Sequence, residues 1–302
     1  MSTISHFARP VLIAIFSIVC VTTYGYWQEK PAAAKKPTEQ AKVKSPEFLR
    51  VEKDGKKLQA LQTANVTYRR IGDATGPEVT LIGAVHIAEA TYYSRLNNIF
   101  RNFDALLYEM VMDPEMGAPE PEESGLSPVS TIQVGMKDAL GLEFQLAQID
   151  YKAKNFVHAD MTPKEFFDTM NARKEGLLQM FARSLGSSLA MQSSGKSTGD
   201  IELLAALMSD DREKGLRRAL AQQMEMMDGQ MAALTGEDGK STLITERNAK
   251  AFKVLKRELD SGKQKIGVFY GAGHLKDMHE RLIREFGMEP VKTEWLDAWN
   301  LR

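Results

Sequence analysis

Short apolar runs alternate with amphipathic stretches along most of the chain beyond residue 47. Runs of apolar and β-branched residues predict strands at 64–70, 78–84, 104–111, 154–159, 265–270 and 289–295. Apolar residues at helical spacing follow several of these runs, as at Tyr93, Leu96 and Phe100. Strands that alternate with helices predict an α/β fold, in which a central sheet, mixed or parallel, is wrapped by helices.

The interval 162–260 departs from this alternation. It is long and rich in Met, Leu, Ala and Lys, so it predicts a helical insertion that closes with a helix over 244–260. At the other end of the chain, residues 28–46 combine three prolines with lysines and alanines, which is typical of an extended, solvated linker. We therefore expect one folded domain over 47–302.

Residues 1–27 have the character of a targeting or anchoring segment. The stretch from Val11 to Trp27 is nearly all apolar or small, and Arg9 precedes it. Its length falls between the ~20 residues of a spanning helix and the ~7–15 of a signal-peptide core. A membrane anchor is favoured, with a cleaved signal peptide and a buried helix as alternatives. An anchor or a signal peptide predicts a membrane-anchored or exported protein whose domain faces the extracytoplasmic, periplasmic side.

Charge and cysteine content exclude several classes of function. The 302 residues include 39 basic and 40 acidic side chains, for a net charge of −1, so no nucleic-acid partner is expected. Cys20 is the single cysteine and lies in the N-terminal apolar run. A disulfide within the chain, a cysteine metal cluster and a cysteine nucleophile in the folded domain are thereby excluded.

Two distant segments share one pattern, Gly-x-x-His. The first runs from Gly83 to His86 and the second from Gly271 to His274, and each follows an apolar run and precedes an amphipathic helix. Gly83, Gly271 and Gly273 are expected to form the turns. We expect both histidines at strand-to-helix turns, where α/β proteins place their chemistry.

Two charged residues join the histidines as candidates. Glu109 lies near the end of the strand predicted at 104–111, where a carboxylate is costly unless it is paired or liganded. Arg247 lies on the apolar side of the predicted helix over 244–260, where an arginine usually meets a carboxylate or an anionic substrate group. Asn248 is a weaker candidate. The alternatives are a glutamate that faces water and an arginine that extends to the surface.

These residue types suit two kinds of chemistry. His86, His274 and Glu109 could hold a divalent metal ion with open positions for water and substrate. They could equally act without a metal, with His86 as base and Glu109 as its partner. Each histidine could also be a capping or core residue. His279 is expected to be a packed core histidine, and the role of His158 is left open.

The ordered motifs resemble a known family. Gly83-Ala-Val-His86, Gly271-Ala-Gly-His274, Glu109 and the segment Thr245–Asn248 are similar to the motifs of the TraB/PrgY/GumN family, whose superfamily includes the membrane-anchored TIKI proteases. The resemblance covers roughly 48–302. It implies a fold related to erythromycin-esterase and ChaN-like proteins, with a central sheet wrapped by helices.

The resemblance also implies a site and an activity. The site would consist of His86, Glu109 and His274, with Arg247 beside them, and Glu109, His86 and Arg247 would be catalytic. TIKI-like members imply a metal-dependent endopeptidase that uses Mn or Co, with Zn or Fe as alternatives, and a peptide or protein substrate. Esterase relatives imply a metal-free hydrolase, whereas PrgY-like and ChaN-like relatives imply a protein that binds peptide or haem.

Overall fold

The computed structural model describes residues 46–116, 139–175, 206, 208–209, 211–228 and 240–302. The predicted anchor over 1–27 and nearly all of the predicted linker over 28–46 lie outside this part of the chain. Within it, no helix is both long enough and apolar enough to cross a membrane.

Most of the described strands belong to one mixed sheet. The described strands are β1 (Leu49–Asp54), β2 (Lys57–Arg70), β3 (Glu78–Ala84), β4 (Ile87–Ala88), β5 (Ala105–Tyr108), β6 (Glu143–Phe144), β7 (Phe156–His158), β8 (Lys265–Gly271) and β9 (Met288–Asn300). The main sheet has the order β1-β2-β3-β8-β5-β7, and β9 also pairs with β2. Strands β4 and β6 form a separate antiparallel pair.

The main sheet has an antiparallel and a parallel half. Strand β2 is antiparallel to β1, β3 and β9, whereas β3, β8, β5 and β7 run parallel to one another. Helices connect the parallel strands, because a parallel pair cannot be joined by a tight turn. The predicted α/β class with a mixed sheet is thereby confirmed.

Six described α-helices flank the sheet or its loops. They are α1 (Ala90–Phe100), α2 (Gln145–Gln148), α3 (Pro163–Ala172), α4 (Arg212–Asp228), α5 (Arg247–Asp260) and α6 (Leu275–Phe286). A π-helical turn, Thr242–Glu246, leads directly into α5. A 3₁₀ turn, Ala272–His274, leads directly into α6, and another covers Pro114–Met116.

The central strands β3, β5 and β8 are buried on both faces and separate two apolar cores. One core joins the sheet to α1 and α4 and includes Leu106 and Tyr108 of β5. The other joins the sheet to α5 and α6 and includes Ala105 and Leu107. Side chains alternate between the faces of a strand. Glu109, which continues the alternation of Ala105 and Leu107, therefore faces the layer of α5 and α6.

Comparison with the predicted elements shows where the sequence pattern was incomplete. Each of the six predicted strands overlaps an observed one. The pattern missed β1 and the first half of β2, because charged and polar residues of this edge hairpin interrupt the apolar alternation. The strand predicted at 104–111 is shorter, and Glu109 follows its last residue.

The predicted helical insertion over 162–260 is described only in part. Helices α3, α4 and α5 lie within it. The stretches 176–205 and 229–239 lie outside the described residues. The predicted closing helix over 244–260 begins as the π-helical turn and continues as α5.

Candidate functional site

Charged side chains converge where the parallel strands end. Glu109 follows β5, Asp160 lies two residues after β7, and His274 lies three residues after β8. Since the carboxyl ends of parallel strands share one edge of the sheet, short extensions from different strands can meet there. Helix α5 closes the group from the side, because Arg247 is its first residue.

Glu109 is the centre of this group. Its Oε1 accepts a hydrogen bond from Arg247 Nη2 at 2.7 Å, and its Oε2 accepts one from the backbone N–H of Gly271 at 2.7 Å. The Nε2 of His274 lies 3.4 Å from Oε1. A Cβ at position 271 would lie 3.3 Å from Oε2, so glycine allows the carboxylate to approach the backbone closely.

The surroundings of Glu109 fix its charge. Burial alone would raise the pKa of this carboxyl, but His274, Arg247 and the N–H of Gly271 outweigh burial and hold the pKa well below its usual range. Glu109 is therefore ionised at physiological pH. A carboxylate with such a low pKa is a poor proton acceptor, so it is better suited to orienting a partner or binding a cation.

Asp160 anchors the other side of Arg247. Its Oδ1 accepts from Arg247 Nε at 2.9 Å and its Oδ2 from Nη2 at 2.5 Å, which is the two-point geometry that a guanidinium fork favours. Oδ1 also accepts from the N–H of Met161 at 2.7 Å. The Asp160 side chain is fully buried, at 0% exposure. Arg247 is therefore clamped between two carboxylates.

The helix start that carries Arg247 is itself held in place. The hydroxyl of Thr245 donates to the carbonyl of Ser241, and the N–H of Thr242 donates to Glu175 Oε2 at 2.8 Å. Glu175 is buried and pairs with Arg173. π-Helical turns are rare and often lie at functional sites. Here the turn sets the position from which Arg247 reaches the sheet edge.

Asn248 determines the orientation of the His274 ring. Its side-chain Nδ2 donates to the carbonyl of His274 at 3.1 Å and to Asp277 Oδ2 at 2.9 Å. Its Oδ1, which can only accept, lies 2.7 Å from His274 Nδ1. Nδ1 must therefore carry a hydrogen. In the neutral ring this leaves the lone pair on Nε2, the atom that faces Glu109.

The charges of the buried group do not balance without a further cation. Glu109 and Asp160 contribute two negative charges and Arg247 one positive charge, while their side chains are 13%, 0% and 11% exposed. A buried net charge is costly. A cation bound beside Glu109 would offset it. Among the described residues, however, no group of three His, Cys, Asp or Glu side chains is placed to hold a metal ion.

His86 does not join this group through a direct contact. Its side chain is exposed, and no hydrogen bond or ion pair links the ring to the described residues. The backbone around it is fixed, because the Tyr92 and Tyr93 hydroxyls donate to the carbonyls of Gly83 and Val85. The predicted meeting of both motif histidines with Glu109 is thus observed for His274 alone.

The two Gly-x-x-His motifs are not equivalent in the fold. In the parallel pair β3–β8, Gly83 is opposite Tyr270 and not Gly271, so the motifs are offset by one residue. Helix α6 begins immediately after His274, whereas α1 begins four residues after His86, with β4 in between. Because a shift of one residue reverses the faces of a strand, equal sequence spacing does not place the two histidines alike.

The motif glycines also have different roles. Gly83 was expected to form the turn, but it lies inside β3, where a Cβ would come within 3.2 Å of the Ala64 carbonyl. Glycine at this position permits close packing against β2. Gly271 ends β8 and Gly273 lies in the 3₁₀ turn, as expected for a strand-to-helix connection.

The other two candidate histidines lie outside the charged group. His279 is buried, and its Nδ1 lies 2.8 Å from the Tyr68 hydroxyl, which confirms the predicted core histidine. His158 ends β7, its Nε2 lies 2.7 Å from the carbonyl of Met110, and its ring packs on Tyr108. Burial lowers the pKa of His279, in keeping with a neutral core residue.

Sequence reasoning missed Asp160 and undervalued Asn248. A signal for Asp160 existed, because it directly follows the strand predicted at 154–159 and so belongs to the same edge as Glu109. Tyr270 was also missed. Its buried hydroxyl donates to the carbonyl of Ala159 at 2.7 Å and thereby ties β8 to the segment that carries Asp160.

Comparisons with protein-family models, curated proteins and solved structures find no match to this chain. The resemblance to the TraB/PrgY/GumN family therefore rests on the motif residues alone. The geometry of Glu109, His274, Arg247 and Asp160 is the independent basis for a functional argument.

Proposed function

We propose that the chain is an extracytoplasmic hydrolase whose reaction centre is the pair His274 and Glu109, and that its substrate is a peptide bond. One observation carries the proposal. The imidazole of His274 is oriented through Nδ1 by Asn248 and presents Nε2 to an ionised carboxylate 3.4 Å away, at the carboxyl edge of parallel strands. The motif resemblance supports the same pair.

In the metal-free form of this proposal, His274 transfers the proton. Nε2 takes a proton from water as the water oxygen attacks the carbonyl carbon of the scissile bond. The imidazolium then returns that proton to the leaving nitrogen as the C–N bond breaks, and a carboxylic acid and an amine result. Glu109 stabilises the positive charge that His274 carries between these two steps.

Arg247 acts by positioning Glu109. Its Nη2 serves both Glu109 and Asp160, its Nε serves Asp160, and its Nη1 lies 3.5 Å from the carbonyl of Leu243. These bonds use four of the five N–H donors, including both on Nη2, the nitrogen nearest Glu109, so they favour orientation of Glu109 over direct stabilisation of an oxyanion. Asp160 fixes Arg247 in turn.

A divalent metal ion fits the centre in part. His274 Nε2 and Glu109 Oε1 lie 3.4 Å apart and are the two candidate donor atoms. These two atoms would hold the ion, with Mn or Co expected and Zn or Fe as alternatives, and it would supply Lewis acidity toward the carbonyl. His86, the third expected ligand, makes no contact with them among the described residues.

A metal-free hydrolase is the second candidate. It is favoured by the bonds that Glu109 already makes to Arg247 and Gly271, which use both carboxylate oxygens. In that version His274 is the base and His86 lies outside the chemical step. The metal-dependent and metal-free candidates make opposite predictions for chelation.

The proposal extends to the parts of the chain around the domain. The apolar composition of 11–27 supports a membrane anchor or signal peptide, which would bring the domain to the extracytoplasmic side. We also propose that 162–260 is a helical insertion, since α3, α4 and α5 are its described parts.

Turnover of a complex peptide mixture tests the function. The full chain is incubated with peptides from a digested proteome, and new termini are identified by mass spectrometry. We expect cleavage by the parent, a loss of about 100-fold or more in Glu109→Gln, and an unchanged rate in the control Glu289→Gln, whose side chain is exposed on β9.

The same assay separates the two candidates. Loss of cleavage after chelation, with recovery on addition of Mn or Co, would favour the metal-dependent hydrolase. Full activity in chelator would favour the metal-free one. Absence of cleavage by the parent under both conditions would contradict the proposed hydrolase.

A further inference from the structure

Strand β9 forms a long open edge of the main sheet. Among the described strands it pairs with β2 alone, so its outer side has no strand partner in that part of the chain. Six consecutive residues, Glu289–Glu294, are exposed. At the opposite edge of the sheet, β7 has only 3 residues. An edge strand offers unpaired N–H and C=O groups to which another strand can add.

Both ends of this edge are closed to a further strand. Near one end, the N–H of Glu89 donates to the carbonyl of Ala298 at 3.0 Å. Near the other end, the ladder with β2 is irregular beside Pro290, which itself has no N–H to donate. Bulges and prolines are usual means by which proteins stop pairing at an edge. The stretch 291–295, with the sequence VKTEW, remains available, and we call it the free edge.

The hydrogen bonds of β2 show which backbone groups of the free edge point outward. The N–H of Ala64 donates to the carbonyl of Phe48, on the side of β2 away from β9. Successive residues of a strand direct their backbone groups to opposite sides, so Asn65 points to β9 and the residue opposite it, Glu294, points back to β2. Thr293, the next residue along β9, therefore directs its N–H and C=O outward.

The side chains of the free edge are complementary to a second copy of themselves. In an antiparallel pair centred on Thr293, Lys292 of each copy lies opposite Glu294 of the other. A pair centred on Lys292 or on Glu294 would instead oppose like charges. Within one chain, Lys292 Nζ and Glu294 Oε2 already lie 3.0 Å apart on one face of the strand, and their side chains are 62% and 58% exposed. Pairing about Thr293 thus joins four charges of alternating sign.

We propose that the free edge binds a second copy of this chain as an antiparallel strand and thereby joins two sheets into one. The two Thr293 residues lie at the two-fold axis, where the N–H of each donates to the C=O of the other. A symmetric dimer uses the same patch on both copies, so it requires a self-complementary surface of this kind. A lysine on an edge strand usually discourages pairing, but here Glu294 of the second copy neutralises it. The dimer does not depend on the proposed hydrolase activity.

The mass of the full chain in mild detergent tests this interface. It is measured by light scattering after size-exclusion chromatography, with the detergent mass subtracted, over a range of protein concentrations. We expect a monomer–dimer equilibrium in the parent. Lys292→Glu places four negative charges around the axis, and Glu294→Lys places four positive ones, so each should weaken the dimer by about 10-fold or more. The control Lys253→Glu reverses an exposed charge on α5 and should leave the equilibrium unchanged.

Mixing the two reversed variants tests the register of the pair. One Lys292→Glu copy and one Glu294→Lys copy restore both contacts between opposite charges, so the mixture should form a heterodimer about as stable as the parent dimer. The double variant K292E/E294K should also dimerise with itself, because both charges are exchanged. These side chains are exposed, so the changes remove no buried contact and the variants should fold like the parent.

Disulfide trapping locates the contact in a Cys20→Ser background, since Cys20 is the single cysteine. Directly opposite residues have Cα atoms about 4.5–5.5 Å apart, within the range of a disulfide. A mixture of Lys292→Cys and Glu294→Cys chains should therefore give a covalent dimer, whereas Glu289→Cys, farther along β9, should not. A parent that stays monomeric at every concentration, a dimer that both single reversals leave unweakened, or a mixture of reversed variants that stays monomeric would overturn the interface.

Discussion

Replacement of Asp160 by asparagine tests the charged group with the least change in shape. The side chain is fully buried and contacts Arg247 through both oxygens, at 2.9 and 2.5 Å. Asparagine keeps one acceptor and removes the negative charge. Its amide nitrogen would also face the guanidinium, where two donors meet without an acceptor.

The expected loss of stability follows from these contacts. Removal of one partner from a buried ion pair typically costs about 3–5 kcal/mol. Arg247 keeps its bond to Glu109 at 2.7 Å, and the introduced asparagine would keep one bond, so we expect a decrease of about 2–3 kcal/mol in the free energy of unfolding. For a domain of this size that corresponds to a decrease in Tm of roughly 4–12 °C.

Thermal unfolding of the full chain, followed by circular dichroism, measures this effect. The matched control is Asp168→Asn in α3, since the Asp168 side chain is 62% exposed and pairs with Lys164 at 2.6 Å. An exposed pair of this kind contributes little, so the control should lie within about 0.5 kcal/mol of the parent. Equal unfolding temperatures for the two variants would refute the buried clamp on Arg247.

Three further predictions concern the same group. Because folding lowers the pKa of Glu109, its stabilising contribution is complete above the pKa of an unfolded glutamate, about 4.3, and decreases as the pH falls below that value. Glu109→Gln should therefore lower the free energy of unfolding, measured with denaturant, more at neutral pH than in acid. An equal decrease at the two pH values would contradict the lowered pKa of Glu109. Arg247→Lys should lower the free energy of unfolding in urea by about 2 kcal/mol, since an ammonium cannot bridge Glu109 and Asp160 as a guanidinium does. An unchanged free energy of unfolding would count against the bidentate contact. Tyr270→Phe should lower the free energy of unfolding by about 1 kcal/mol, because the hydrogen bond to the carbonyl of Ala159 is lost. A urea midpoint above that of the parent would be inconsistent with a stabilising hydrogen bond at Tyr270.

The sheet could be predicted from sequence because its strands are strongly apolar. The runs at 78–84 and 265–270 are buried on both faces, so they stand out as continuous apolar segments. The edge strand β1 and the first half of β2 carry charged residues at exposed positions and lack this signal. Sheet order was beyond the sequence pattern, since it depends on contacts between distant segments.

The candidate site could be predicted in part. Glu109 and Arg247 were identified because each placed a charge in an apolar segment, and burial of that charge requires a partner. The partner Asp160 was not identified, although it directly follows the strand predicted at 154–159, because its contact with Arg247 joins segments that are distant in the sequence. The offset of His86 from His274 was also hidden, because it depends on the register between β3 and β8.

Separate substitution of two buried histidines tests most directly whether His274 and Glu109 form the reaction centre. His274 faces Glu109, whereas His279, five residues later, bonds to Tyr68 in the core. We predict that His274→Gln lowers peptide cleavage by about 100-fold or more, while the folded His279→Gln variant retains the parental rate. Cleavage by His274→Gln at the parental rate would contradict the assignment of the reaction centre to His274 and Glu109.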